Sequence, residues 1–435
     1  MHSQVDKNKL ILIMNPLSKF FIAGFLFFAV CASVQAQTDE FFDDFLDIEQ
    51  RIGAVENNLL ILNRVSVSGY IQTQFAWGEK DAHLWFGAPN ENPNEPYNRF
   101  GIRRGRLRFG FEEGIASAVF QIDMIERGIN FRDAFVTIRD PFWGSSRIRA
   151  GLFLRPFGYD ISRSSAIREV PERAVTTTTL FPSNRDIGWA VNLQAPRTSA
   201  WHFLRFEGGW FAGNGISQQT DSRMDFICRL SANKIINNNL RISGGISYYN
   251  GGVFQGTDSV FTMSGNHFVL DNNPANRGRY AKREYLGFDA QISINTNLGL
   301  TKIMGEYIFG QQPGRANRNR SPNTANLPNW NTFIRPVSGG YITWVQDLGR
   351  LPFSAVVRYD WHNPNTAVSG NDIGRANTHT GEADRLQTTY GFGLFWEAAP
   401  SVRVTAFYEI VNREFSEYIN NFEGDKFTLR LQYRF

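Results

Sequence analysis

From Val67 to Phe435, apolar and polar residues alternate with a period of two, which in an extended chain sends successive side chains to opposite faces. The last stretch shows it most cleanly: Phe427, Leu429, Leu431, Tyr433 and Phe435 alternate with Thr428, Arg430, Gln432 and Arg434. Segments of this kind predict sixteen strands, at 66–77, 102–112, 116–126, 131–140, 146–155, 185–195, 201–212, 222–234, 240–250, 282–295, 299–310, 334–347, 352–362, 385–397, 401–413 and 424–435. Their connections alternate in length. Short turns at Gly114-Ile115, Pro141 to Ser145, Pro196 to Ala200, Asn237 to Asn239, Thr296 to Leu298, Leu348 to Leu351 and Ala398 to Pro400 are interleaved mostly with long polar loops at 78–101, 156–184, 251–281, 311–333 and 363–384. A soluble sandwich has no reason to sort its loops this way, whereas outer-membrane barrels carry short periplasmic turns and longer external loops. The predicted fold is all-β: an antiparallel transmembrane β-barrel of about 16 strands, preceded by a short N-terminal helical segment.

The period is different before Val67. Lys7, Lys9 and Lys19 precede the apolar run Phe20 to Val30, and Val34, Gln35 and Ala36 form a small-residue cleavage pattern, so residues 1–36 read as a signal peptide, with Met14 a possible start. In residues 37–65, Phe45, Ile48, Ile52, Val55, Leu59 and Leu62 recur at spacings of 3 and 4 among seven acids. That is a helical seam of about three heptads. Two roles are open to it: an amphipathic helix lying on the barrel or plugging its mouth, or a coiled coil that gathers copies into a homotrimer on the periplasmic side. The barrel domain is then 66–435.

Composition agrees with a barrel and narrows the function. Of 435 residues, 42% are hydrophobic and 14% aromatic, with 38 Phe, yet mean hydropathy is −0.31, as expected when lumen-facing polar residues dilute lipid-facing ones. The formal net charge is only +4, and part of that belongs to the leader. A nucleic-acid-binding protein would show a broader basic face. With Cys31 in the leader, Cys228 is the only other thiol, so the mature chain cannot form an intrachain disulfide. The six histidines are scattered without metal-ligand spacing, and neither Ser164-Ser165 nor Gly213-Asn214-Gly215 matches a nucleophile or phosphate-loop context, so no enzyme, metal or cofactor is expected.

The charge that remains is local. Arg103 to Arg185 holds fourteen arginines and no lysine against nine carboxylates. Arg104, Arg106 and Arg108, and likewise Arg147, Arg149 and Arg155, stand at even spacings. Each set therefore shares one strand face, and lipid exposure would cost about 2 to 4 kcal/mol per charge near mid-membrane. They are expected to face the lumen as anion contacts, unless Asp123, Asp133 and Glu112 already neutralise them. The loop 156–184 adds Arg163, Arg168 and Arg173, and Arg185 follows it. An early long loop that folds inward makes these four constriction candidates. A planar guanidinium fork holds oxyanion oxygens in pairs.

Four blocks carry a family resemblance: Ile102-Arg103-Arg104-Gly105-Arg106-Leu107, Asp133-Ala134-Phe135, Ile148 to Gly158 with Gly151-Leu152-Phe153-Leu154-Arg155-Pro156-Phe157, and Pro182-Ser183-Asn184-Arg185-Asp186-Ile187-Gly188. Together they resemble the phosphate-selective porin O and P family. The resemblance implies a sixteen-stranded trimeric porin whose cationic channel passes phosphate or polyphosphate. The chain departs from that family in having no lysine between Arg99 and Arg185. The terminal Phe435 resembles the signal read by outer-membrane barrel assembly machinery.

The sequence thus predicts a porin in the outer membrane of a Gram-negative bacterium, with outer-membrane lipid around it and a water-filled, arginine-lined channel for diffusion of small anions such as phosphate. The alternatives are a weakly selective diffusion porin and a structural or adhesive barrel.

Overall fold

The computed structural model describes residues 64–323 and 326–435. The predicted signal peptide and residues 37–63 of the predicted helical segment lie outside the described residues. Each of the sixteen predicted strands has a counterpart. The first five are β1 (Val65–Gly78), β2 (Tyr97–Glu113), β3 (Ala116–Ile125), β4 (Gly128–Arg139) and β5 (Arg147–Leu154). β6 (Arg185–Gln194), β7 (Leu204–Phe211), β8 (Asp225–Asn237) and β9 (Leu240–Phe254) follow. The chain then makes a short hairpin, β10 (Ser259–Ser264) and β11 (His267–Asn272), which lies within a loop read from the sequence as irregular. The barrel resumes with β12 (Tyr280–Thr296), β13 (Gly299–Gly314), β14 (Thr332–Asp347) and β15 (Phe353–Asn363), then β16 (Gln387–Ala399), β17 (Val402–Arg413) and β18 (Lys426–Arg434).

Neighbours in the barrel are neighbours in sequence and antiparallel, except that β9 pairs with β12 across the hairpin, in the register Tyr249↔Tyr285. β1 closes the sheet on β18, with Thr73 opposite Leu431, to give a closed barrel of sixteen strands. Closure leaves no unpaired edge, the condition for crossing a bilayer with strands. At the seam Phe435 and Gly69 exchange backbone hydrogen bonds of 3.0 Å each way. The Phe435 ring covers the face of Gly69 so closely that a Cβ there would lie 2.6 Å from it.

The outer face is apolar. Phe100, Phe120, Ile129, Phe131, Ile148 and Leu431 are among its exposed side chains. Aromatic rings run across neighbouring strands, with Trp361 stacked at 6.2 Å on Tyr307 and 5.4 Å on Tyr359, itself 5.0 Å from Tyr390. Such a band matches the hydrocarbon and interfacial zones of an outer membrane.

The ladder shifts register at four places, and two of these bulges fall in the arginine-rich region. In β2, Gln72 faces Arg104 but Thr73 faces Ile102, so Arg103 is the extra residue. In β4, Gln121 faces Asp133 but Ile122 faces Phe131, so Arg132 is extra. A bulge leaves one residue unpaired and re-aims it. Both bulges here turn an arginine towards the lumen.

The lumen is crossed by residues 155–184, which carry two short helices, α1 (Tyr159–Ser162) and α2 (Val175–Leu180). Phe157, Ile161, Leu180 and Phe181 from this segment pack against Phe211, Ile227, Tyr249, Tyr285 and Ile308 of the wall. On another side Val170 and Ala174 meet Tyr341, Val345, Val356 and Phe407. Much of the barrel interior is therefore a packed apolar core, and a buried Phe or Leu contributes about 1.5 to 3 kcal/mol by leaving water.

Candidate functional site: the arginine-lined lumen

The polar part of the lumen is organised by the crossing segment. Its backbone is received by wall side chains on several strands. Ser247 Oγ accepts the Gly158 N–H at 2.9 Å, and Glu306 Oε2 accepts those of Tyr159 and Asp160 at 3.0 and 2.9 Å. Gly158 has φ +61°, and a Cβ there would collide with the Glu306 carboxylate, so glycine is required for this approach. Gln72 and Gln432 donate to the carbonyls of Ser165 and Ala166 at 3.0 and 2.9 Å. Arg403 and Arg430 donate to those of Arg168 and Pro171 at 3.1 and 2.8 Å.

Glu172 is the electrostatic centre of this arrangement. Arg103 grips it with two hydrogen bonds of 2.9 Å, Arg104 donates at 2.6 Å and Arg430 at 2.9 Å. Gln72 and Gln74 support Arg104 and Arg430 from behind, with contacts of 2.8 Å and 2.6 to 2.9 Å. Burial alone would raise the Glu172 carboxyl. The three guanidiniums nevertheless hold it well below the usual carboxylate range.

The predicted wall arginines separate into two groups. Arg104 belongs to the Glu172 cluster. Arg106 lies 3.5 Å from Asp123 and donates to Ser165 Oγ at 3.0 Å, and Arg132 reaches the same Asp123 at 3.1 Å. Arg155 pairs with fully buried Asp186 at 2.7 Å. Among the constriction candidates, Arg185 holds Asp133 with bonds of 2.9 and 3.0 Å, and Arg163 pairs with Glu169 inside the segment. Arg173 donates to the carbonyls of Asp160, Ile161 and Arg163 at 2.9, 3.2 and 3.0 Å. Arg168 is buried, and its nearest carboxylate, Asp160, is 4.0 Å away. Burial, then repulsion from Arg104, outweighs Asp160 and pushes the Arg168 guanidinium down to about 10.

Arg108, Arg147 and Arg149 are different. They lie towards the short-turn end of β2 and β5, and among the described residues none has a carboxylate within ion-pair distance. Arg149 is stacked over Phe135 and Phe153, at 4.6 and 5.3 Å. Of the expected carboxylate partners, Asp123 and Asp133 are engaged as described. The third, Glu112, lies at the end of β2 opposite Ser117, away from the wall arginines.

On the long-loop side, a cavity of about 390 Å³ opens above the crossing segment. Glu172 and Asp360 line its floor, and Trp85, Arg318, Arg320 and Arg413 its walls. Arg318 and Arg320 come from a loop with no motif in the sequence. Burial, and then the neighbouring Arg318, lowers Arg320 from the ordinary arginine value. Arg430 and Arg358 also escaped sequence reasoning. Their signal was the polar alternation Thr428, Arg430, Gln432 and Arg358, Asp360, His362.

By sequence, no family model and no curated protein matches the chain. By structure, it resembles Pseudomonas putida OprB, with TM-score 0.56, 10% identity, 88% of this chain and 97% of that one covered. It also resembles Salmonella typhi OmpF, solved in complex with daunomycin, with TM-score 0.52, 10% identity, 85% of this chain and 97% of that one covered. These likenesses establish the fold, a closed antiparallel barrel of the architecture found in outer-membrane porins.

Proposed function

We propose that the protein is a porin that passes small anions such as phosphate by diffusion. The observation that carries this reading is the set Arg108, Arg147 and Arg149 below the crossing segment, none of which has a carboxylate within ion-pair distance among the described residues. One guanidinium about 4 Å from an anion contributes roughly 1 kcal/mol in water-like surroundings and roughly 4 at an intermediate dielectric. A row of such sites attracts anions and still releases them, as conduction requires. The sequence resemblance to phosphate-selective porins supports phosphate as the anion. The test is single-channel recording in a potassium chloride gradient, where an anion-favouring reversal potential is expected and a potential near zero rejects the reading in favour of a weakly selective pore. Block of the chloride current by added phosphate tests the phosphate part separately.

A specific observation favours a second reading. The crossing segment is tied to β1, β9, β13, β17 and β18 and packs on two apolar clusters, as a barrel with a mainly structural or adhesive role would be. Absence of any conductance would select it.

A homotrimer, assembled through the segment 37–65 or through the barrel wall, completes the proposal. Deleting residues 37–62 should dissolve the trimer in the first case and leave it in the second, as read by native electrophoresis. Phe435 is proposed as the assembly signal. Its place in the closure seam supports this, and Phe435→Ser should lower the yield of heat-resistant barrel in outer-membrane fractions without changing the conductance of the barrels that form.

A further inference from the structure

The cavity of about 390 Å³ above the crossing segment is lined by charges of both signs, and most of them already answer one another. Its acids are Asp81, Glu172, Asp360 and Glu409. Glu172 is held by three guanidiniums, Asp360 lies 3.3 Å from Arg358, and Glu409 lies 3.4 Å from Lys426. Asp81 accepts the Glu423 N–H at 3.0 Å. Of the cations, Lys426 is thus paired, Arg413 pairs with Glu382, and Arg173 is engaged by backbone carbonyls. Arg318 and Arg320 remain. Both are exposed, and among the described residues neither side chain has a hydrogen bond or an acid within ion-pair distance.

The two arginines are nevertheless firmly mounted. Arg315 and Arg318 exchange backbone hydrogen bonds of 3.3 and 3.5 Å, and the fully buried Arg335 donates to the carbonyls of Arg315 and Ala316 at 2.8 and 3.0 Å. The Ser321 N–H donates to the Thr179 carbonyl at 2.9 Å, which ties this turn to α2. Thr179, Asn319 and Gln387 line the same cavity, each half-buried and, among the described residues, without a side-chain hydrogen bond. Amides and hydroxyls both donate and accept, so these three groups match the hydroxyls of a ligand. Half-buried Trp85 and Phe422 add apolar wall.

Chloride or inorganic phosphate would engage the guanidiniums and leave the amides, the hydroxyl and the aromatic walls unmatched. A neutral sugar would match those and leave both guanidiniums without an anion. The volume lies at the lower end of pockets for small organic ligands, roughly 300 to 1,000 Å³. Two free guanidiniums suit one oxyanion group, gripped through their paired N–H donors. We propose that this cavity binds a monosaccharide bearing a single phosphate or carboxylate group, with the anionic end on Arg318 and Arg320 and the hydroxyls on Thr179, Asn319 and Gln387. The inference gives the anion of the porin reading its chemical class and rests on that reading for passage, whereas binding is measured apart from it.

The test is titration calorimetry of the purified full chain in detergent with glucose 6-phosphate, glucuronate, glucose and inorganic phosphate. At least one of the two acidic sugars should bind about tenfold or more tighter than both glucose and inorganic phosphate, since one well-made hydrogen bond is worth up to about tenfold. The tighter of the two identifies the anionic group as phosphate or carboxylate. Arg318→Gln combined with Arg320→Gln should remove the advantage over glucose, and Gln387→Ala should cut the advantage over phosphate. Trp143→Leu, in the turn between β4 and β5 at the other end of the barrel, should change neither. Both arginines are exposed on a loop, so the double variant keeps the barrel, as heat-resistant electrophoretic mobility will verify. Acidic sugars that fall short of the tenfold margin over glucose or over phosphate overturn the proposal, as does an advantage over glucose that survives in the double arginine variant. A reversal potential near zero would reject the anion-selective porin and leave these affinities untouched.

Discussion

Arg104, Arg155 and Arg185 lie at the level of the crossing segment, whereas Arg108, Arg147 and Arg149 lie below it on the same wall. The sequence presents five of them in the same way, as arginines on the polar face of a strand, and Arg185 as a constriction candidate after the long loop. At the upper level every one is hydrogen-bonded to a carboxylate, with distances of 2.6 to 3.0 Å. At the lower level none has an acid within ion-pair distance among the described residues. Spacing therefore fixes which face an arginine occupies, and height along the barrel fixes what it meets. The upper set anchors a segment that narrows the lumen. In the function proposed above, the lower set is the part that meets a passing anion.

The comparison breaks most sharply at Glu172. Glu172→Gln would leave three guanidiniums without a charge to share, and removing one partner of a buried ion pair costs about 3 to 5 kcal/mol. We expect a lower Tm, faster proteolysis within residues 155–184, and a larger, noisier conductance. An unchanged Tm and an unchanged channel would show that Glu172 does not hold the segment.

The next largest effect belongs to the lower set. Replacing Arg108, Arg147 and Arg149 together by alanine should lower the anion-to-cation permeability ratio by about fivefold per arginine at most, if each contributes about 1 kcal/mol. Stability should barely move, because no buried pair is broken. If the reversal potential stays where it was, selectivity is set elsewhere, with the arginines above the segment the next to examine.

Acid sharpens the difference between the segment and the loop above it. Glu172 is held well below its ordinary range in the folded state, so its contribution is present above the unfolded value of about 4.3 and is lost only as pH falls through the depressed folded value. The clamp should stay closed throughout the neutral and mildly acidic range. His83, in the loop between β1 and β2, moves the other way. Burial, with Lys426 and Arg320 nearby, lowers it to about 4. A histidine lowered in the folded state binds fewer protons than in the unfolded chain, so stability falls as pH drops from about 6.5 to 4. Hydrogen exchange should show the 79–96 loop loosening in that window while residues 155–184 stay protected, and His83→Phe should remove the loosening. Loosening of both together would mean that the two regions open as one.

The smallest effect is expected from the bulge. Deleting Arg103 restores a regular pairing in which Thr73 faces Ile102 and Gln72 faces Arg104. Every other side chain of β2 keeps its face, so the barrel should assemble and lose only one of three clamps on Glu172. Failure to assemble would show that the bulge also sets the path of the strand.

All sixteen barrel strands, their antiparallel order and the alternation of short and long connections were legible in the sequence. The reason is that lipid tolerates almost no charge and the period of a strand is two, so each segment announces its lipid face. The lumen-facing placement of Arg104, Arg106, Arg147 and Arg149 followed from the same rule. Arg103 and Arg132 did not, because a bulge inserts a residue that alternation alone reads as a change of phase. The hairpin of β10 and β11 was hidden in a loop, since it rests on only three paired residues of β14 outside itself. Residues 155–184 showed their arginines but not their partners. Glu172 lies 69 residues from Arg103 and 258 from Arg430, and only closure of the barrel brings those residues together. Alternation is a local property and survives in the one-dimensional chain. Charge compensation in the lumen is a property of the closed ring, and the tertiary structure alone decided which arginines are already answered.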